Sequence, residues 1–226
     1  MITLYTAIGT YKLNRNGYPS VVSGEREYSL DTFELIMWSV LSYRISSYDE
    51  LKDMFCEKVQ ELQITNERGF DHYLSRMLSR NLIASGKNSD GVEALYSLLG
   101  RLHIEILPNG IFTKILTFID LVFHRNVPVR TALDVFYVEK TTPPENWVLS
   151  MLKHQSLTTA ELIKCNEKAV TKLHNTDELI DILYSDEHTD CESIILDSFL
   201  SEERNTILTA VANLYLKQRV NFYIVQ

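Results

Sequence analysis

The sequence predicts a mainly α-helical protein with small β elements, arranged as two similar units joined by a helical middle section. Only 8 Gly and 5 Pro occur in 226 residues, too few of the turn-formers that a many-stranded β fold requires. Apolar residues recur at helical spacing through most of the chain. A helix-to-strand transition near residue 80 has a counterpart 137 residues later. At 45% hydrophobic and 23% charged, the composition supplies a sizeable core and argues against global disorder.

Residues 2–8 partly alternate and are rich in β-formers. A second such segment spans 18–28, with Arg15, Asn16 and Gly17, then Ser23, Gly24 and Glu25, as turns. A short hairpin packed on the helices is therefore expected. Phe33, Ile36, Met37, Val40 and Leu41 mark the first helix. Ser47 stands three residues before Glu50, a capping box in which each side chain satisfies the other residue's backbone N–H. The second helix then puts Leu51, Met54, Phe55, Val59 and Leu62 on one side. Phe70, Tyr73, Leu74, Met77 and Leu78 define a third, with Thr65 or Asn66 as its cap. It ends at the polar Asn81, passes into Leu82 and Ile83, and then enters a turn-rich stretch at 84–91.

Three short amphipathic helices followed by this transition resemble the winged helix-turn-helix superfamily over residues 28–88. Taken with the counterpart 137 residues later, the resemblance makes the expected fold two winged-helix-like domains with small β wings. It implies a transcriptional regulator that lays its third helix in the major groove of duplex DNA. A homodimer is expected, because one module reads few base pairs and a two-fold protein can read a palindrome. On a helical wheel Arg68, His72, Ser75 and Ser79 project opposite the Phe70 face, with Arg76 flanking them and Arg80 just beyond. These side chains suit base edges and phosphates, and Lys87 and Asn88 on the wing would reach adjacent phosphate. The early strands, Tyr28, Leu30 and the Trp38 helix also resemble the winged-helix peptide-recognition element of ribosomal-peptide maturation systems. That second resemblance implies a non-enzymatic adaptor, with a peptide added as a strand beside the third helix.

Charge limits the nucleic-acid reading. The chain carries -8, which opposes indiscriminate binding to DNA. Between positions 62 and 88, however, Arg68, Arg76, Arg80 and Lys87 face only Glu67 and Asp71, a local +2. Any contact surface should be confined to that segment.

Further along, 91–100 reads as a helix and 102–107 as a strand ended by Pro108, Asn109 and Gly110. Residues 111–123 are apolar nearly all round, as for a helix buried between domains. Pro128 and the Thr141, Thr142, Pro143, Pro144 segment mark breaks. The expected division is 1–107, a helical connector 108–143, and 144–226. In the last part Val148, Met151 and Leu152 share a helix face, and Thr158 with Glu161 forms another capping box. Helical stretches at 177–184 and 193–200 follow, then a helix from near Ser201 that passes into a strand over 220–225. Leu74, Leu78, Asn81 and Ile83 correspond to Val211, Tyr215, Gln218 and Val220, all 137 positions on. The last part is either a second winged-helix-like domain or a plain helical accessory domain. Its candidate DNA contacts are Arg204, Asn205, Lys217 and Arg219.

The amino terminus lacks the apolar core of a secretory signal, so the chain reads as cytoplasmic. Its longest apolar run, 111–123, is too short to span a bilayer and contains Lys114 and Asp120, so no membrane association is expected. Cys56, Cys165 and Cys191 are dispersed and form no Cys-x-x-Cys pair. Phosphate-binding glycine loops, a His-Glu-x-x-His pair and a nucleophile elbow do not occur. Asp186, Glu187, His188, Asp190, Cys191 and Glu192 read as a solvated acidic loop. No catalytic residue, metal or cofactor is expected.

Overall fold

The structure is a computed structural model that describes residues 1–14, 16–65, 68–107, 140–185 and 189–224. Among these are nine helices and three small antiparallel sheets, a mixed α/β architecture. The expected connector lies outside the described residues as far as position 139, including the apolar run at 111–123 and Pro128.

The chain opens with β1 (Ile2–Ala7), which does not form the expected hairpin with 18–28. Gly9, at φ +90°, turns the chain away, and a Cβ there would lie 2.5 Å from the Val22 carbonyl oxygen. Beyond it β2 (Thr10–Leu13), β3 (Pro19–Ser23) and β4 (Arg26–Ser29) form a meander of their own. Helix α1 (Thr32–Leu41) starts in an Asp31/Glu34 capping box and buries Ile36, Met37, Trp38 and Leu41. Two residues, β5 (Ser46–Ser47), then lead into α2 (Tyr48–Glu61), which begins in the predicted Ser47/Glu50 box.

Helix α3 (Phe70–Ser79) buries Phe70, Tyr73, Leu74 and Met77, as the spacing predicts. Its N-cap is Gly69, at φ +79° with no side-chain cap, rather than Thr65 or Asn66; the latter is outside the described residues. Arg68 therefore precedes the helix instead of standing on its face.

The expected wing is also different. Residues 83–88 form one strand, β6 (Ile83–Asn88), paired with β1 along its whole length from Ala7↔Ile83 to Ile2↔Asn88. Ser85, Gly86 and Asn88 look like turn residues, but Gly86 is there for packing. A Cβ would fall 2.2 Å from Leu98 N and 2.5 Å from Ala94 O of α4 (Gly91–Leu99), which lies directly on the sheet. The sheet order is β5-β1-β6.

The second half repeats this plan. It runs β7 (His103–Ile106), α5 (Pro143–Met151), β8 (Leu157–Thr158), α6 (Thr159–Glu167), α7 (Thr176–Leu183), α8 (Cys191–Phe199), α9 (Arg204–Leu216) and β9 (Val220–Tyr223). Its sheet order is β8-β7-β9, with the sequence-first strand again central. The capping residues Asp31, Glu34, Ser47 and Glu50 correspond to Thr142, Glu145, Thr158 and Glu161, each 111 positions on. After α3 and α9 the offset is 137: Asn81 and Gln218 both have φ near +55° (54° and 56°). At the same offset, Leu82 and Arg219 each accept a backbone bond from the central strand's end, from Ile8 and Leu107.

One core, around Trp38, Leu41, Phe55, Tyr73 and Met77, fills the first half. The other fills the second half and draws in Ile8, Tyr96, Leu98, Leu99, Leu102 and Ile104, all from the segment assigned above to 1–107. Tyr215 joins the halves: its buried hydroxyl donates to Ala7 O (3.3 Å) and accepts from Tyr43 N–H (3.0 Å) and Thr6 Oγ1 (3.0 Å).

Candidate functional site

The N-terminus of α1 meets the C-terminus of α3, and two of the expected DNA contacts are consumed there. Glu34 is 1% exposed. Its Oε2 accepts from Asp31 N–H (2.9 Å) and its Oε1 pairs with Arg76 Nε (3.0 Å) and Arg80 Nη1. Arg76 also reaches Asp31 Oδ2 at 3.3 Å. Arg80 donates to Ser29 O (2.8 Å), with its guanidinium 5.5 Å from the Tyr28 ring centre. A carboxylate so completely removed from water has to be paired, and these arginines pair it.

The second half builds the same latch. Glu145, fully buried, accepts from Thr142 N–H (3.0 Å) and from Lys217 Nζ (2.9 Å), and the Asn213 side chain hydrogen-bonds it as well. Burial pushes the Glu145 carboxyl up, but the Lys217 and Thr142 hydrogen bonds outweigh it and hold the group below the usual carboxylate range. Lys217 also donates to Lys140 O (3.4 Å), as Arg80 does to Ser29 O. Arg76 and Asn213, and Arg80 and Lys217, are 137 positions apart. Both halves therefore use the same two sites for architecture. The sequence signal for this is the pair of spacings Asp31-x-x-Glu34 and Thr142-x-x-Glu145, which commit a carboxylate to each helix start.

Of the other first-half candidates, His72, Ser75 and Ser79 are exposed on α3 beside Arg76. The His72 ring stands edge-on to Tyr73 at 5.3 Å, and Ser79 Oγ donates to Ser75 O (2.9 Å). Arg68 is exposed in the turn before the helix. Lys87 and Asn88 end β6 opposite Thr3 and Ile2, on a sheet strand and not on a projecting wing. In the second half Arg204 donates to Phe199 O (2.6 Å) and stacks on the Phe199 ring at 4.8 Å, beside Asn205. Lys217 and Arg219 lie past the other end of the 13-residue α9, about 20 Å away at the helical rise. Those four residues do not share a surface.

Sequence reasoning missed one feature, the outer edge of β4. Leu30 N–H donates to Pro19 O (3.3 Å), so antiparallel alternation points the Tyr28 and Arg26 backbone groups at β3 and those of Glu27 and Ser29 outward. The Ser29 carbonyl is held by Arg80, and no described backbone group pairs with the Glu27 N–H, the Glu27 carbonyl or the Ser29 N–H on that side. Arg80, the C-cap of α3, reaches this edge at Ser29 O with its guanidinium over the half-buried Tyr28 ring, and Phe33, in the first turn of α1, stacks on Tyr73 of α3 at 5.1 Å.

Groups with chemistry of their own are otherwise dispersed. Burial pushes the Cys165 thiol up to about 12 and lowers the His103 imidazole, which stacks on Tyr223. Among the described residues no three His, Cys, Asp or Glu side chains group as a metal site, and no helix is long and apolar enough to cross a membrane. Comparison with protein families, characterised proteins and solved structures finds no match to the chain.

Proposed function

We propose that the chain is a non-enzymatic cytoplasmic binding protein, built from two winged-helix-like modules, that takes an extended peptide as an added strand on β4 beside α3. The observation that carries this reading is the open β4 edge, whose Ser29 carbonyl is tied by Arg80 at the end of α3 to the buried Glu34. Strand addition draws affinity from backbone hydrogen bonds and specificity from side-chain pockets, here those beside Tyr28 and Phe33. The Arg76 and Arg80 charges, already answered by Glu34 and Asp31, contribute little to attracting phosphate. The test is fluorescence anisotropy with labelled peptides encoded by small reading frames beside the gene. Glu27→Pro removes an outward N–H at an edge position that tolerates proline. Binding that survives Glu27→Pro unchanged refutes the site.

The exposed row His72, Ser75 and Ser79 favours a second reading, DNA regulation through α3. It expects a mobility shift of duplex DNA flanking the gene at low salt, weakened by His72→Ala and Arg68→Ala and lost steeply as salt rises. Absence of any retained fragment removes that reading.

A further inference from the structure

Helix α8 turns an apolar stripe to solvent. Its buried side is set by Ile194 and Ser198, and at about 100° per residue the position directly opposite is Leu196, with Glu192 and Leu200 one turn to either side. Leu196 is 69% exposed and Leu200, the helix C-cap, 82%, at positions where a solvated helix carries polar side chains. Half-buried Ile195 and Phe199 extend the stripe into a cleft of about 210 Å³ between α8 and α4, lined also by Tyr96, Gly100 and Arg101. Tyr96 O–H donates to Ile195 O (2.7 Å), and Arg101 forms a bidentate pair with Glu192 (2.7 and 2.6 Å), so the walls of the cleft are fixed to each other. The cleft is smaller than the roughly 300–1,000 Å³ of small-molecule pockets and suits one anchoring side chain of a larger partner.

The charge around the stripe has one sign. Between Lys172 and Arg204 the sequence carries ten Asp and Glu and no Lys or Arg, whereas the rest of the chain, with 22 basic against 20 acidic residues, is nearly neutral. Asp197 flanks Leu196, with Lys164 Nζ 3.8 Å away, and Glu202 and Glu203 follow Leu200; all three are exposed. The two cations that border the cleft are engaged, Arg101 by Glu192 and Arg204 by the Phe199 carbonyl and ring. We propose that this face docks a basic amphipathic helix of another protein, with its apolar side on Leu196 and Leu200, one side chain in the cleft, and its Lys or Arg side chains towards Asp197, Glu202 and Glu203. Helix recognition of this kind uses anchors at i, i+3, i+4 and i+7 of the incoming helix. Charge selects the occupant: a second copy would bring the same acidic residues face to face, and DNA or an anionic lipid surface would be repelled. Opposite charge draws a basic helix in, and removing the two leucines from water holds it. This surface belongs to the second half and does not depend on what β4 binds.

The experiment is fluorescence anisotropy, at about 0.15 M salt, with the full chain titrated into a labelled synthetic helix of Leu and Lys in which Leu recurs at i, i+3, i+4 and i+7. Two further peptides accompany it, one with Glu in place of every Lys and one with the same residues in shuffled order. The expected result is saturable binding of the first peptide, none of the Glu peptide, and at least about tenfold weaker binding of the shuffled one. Leu196→Ser and Leu200→Ser should each weaken the first peptide about tenfold, and Asp197→Lys should weaken it and flatten its salt dependence. Leu13→Ser, at a comparably exposed leucine (63%) of the first half, and Glu27→Pro should leave it unchanged. If Leu196→Ser fails to fold, Leu200→Ser, at the more exposed position, decides alone. Equal binding of the shuffled peptide, parent affinity in both leucine variants, or loss of binding in Glu27→Pro overturns the proposal. So does a chain that binds none of the peptides, or one that dimerises in sedimentation and loses the dimer with Leu200→Ser.

Discussion

Replacing Glu34 by Ala should be among the most destabilising single changes to the first half. The carboxylate is 1% exposed and serves two purposes at once, closing the α1 capping box and neutralising Arg76 and Arg80. Loss of a capping interaction costs about 1 kcal/mol. Breaking a buried ion pair by removing one partner costs about 3–5 kcal/mol when the remaining charge stays buried. Here the remaining charges are partly wet, since Arg76 is 43% exposed and Arg80 24%, so both can recover hydration. The sum is therefore about 3 kcal/mol. Urea unfolding followed by circular dichroism measures it, with the slope checked for two-state behaviour. Glu61→Ala supplies the contrast, because its pair with Lys58 is a surface pair (42% exposed for Lys58 and 64% for Glu61) and should cost under about 0.5 kcal/mol. A Glu34→Ala loss below about 1 kcal/mol would refute the latch as a structural device, and would return Arg76 and Arg80 to the list of free cations.

Other outcomes follow from the same packing. Glu145→Gln should flatten the acid dependence of stability: a carboxyl held below its ordinary value stabilises fully above the unfolded value of about 4.3 and ceases to as pH falls through the folded one. Unfolding midpoints at about pH 6 and 3 should therefore differ less in the variant than in the parent. Tyr215→Phe removes the hydroxyl shared by Thr6, Ala7 and Tyr43, and should cost about 1–3 kcal/mol in thermal or urea unfolding, with the two halves separating into distinct transitions. Gly86→Ala should cost about 3 kcal/mol by driving α4 off the sheet, whereas Gly17→Ala, strained at φ +77° but with nothing within 4 Å, should cost only about 1 kcal/mol.

Local structure was legible because local rules govern it. The Ser47/Glu50 and Thr158/Glu161 boxes and the spacing of Phe70, Tyr73, Leu74 and Met77 depend only on neighbours in the chain. Strand partners were not, since β1 pairs with residues more than 40 and 80 positions along the chain from its start, and no local signal separates that choice from a hairpin. Gly86 misled for a related reason: a glycine demanded by a helix packed above it has the same sequence signature as one demanded by a turn. The site was half legible. Composition located the cations of α3, but whether an arginine faces solvent or a buried glutamate depends on where α1 begins relative to α3, a tertiary fact.

The growth of the repeat offset from 111 to 137 has a practical meaning. The extra 26 residues enter between α6 and α9 and carry α7 and α8, where among the described residues the first half has no helix between α2 and α3. The same architecture thus tolerates two additional helices at this junction without loss of the sheet, the latch or the αL residue after the last helix. Thr65, exposed between α2 and α3, is accordingly the natural splice point for a reporter domain or a protease site, leaving both cores and the three sheets as they are.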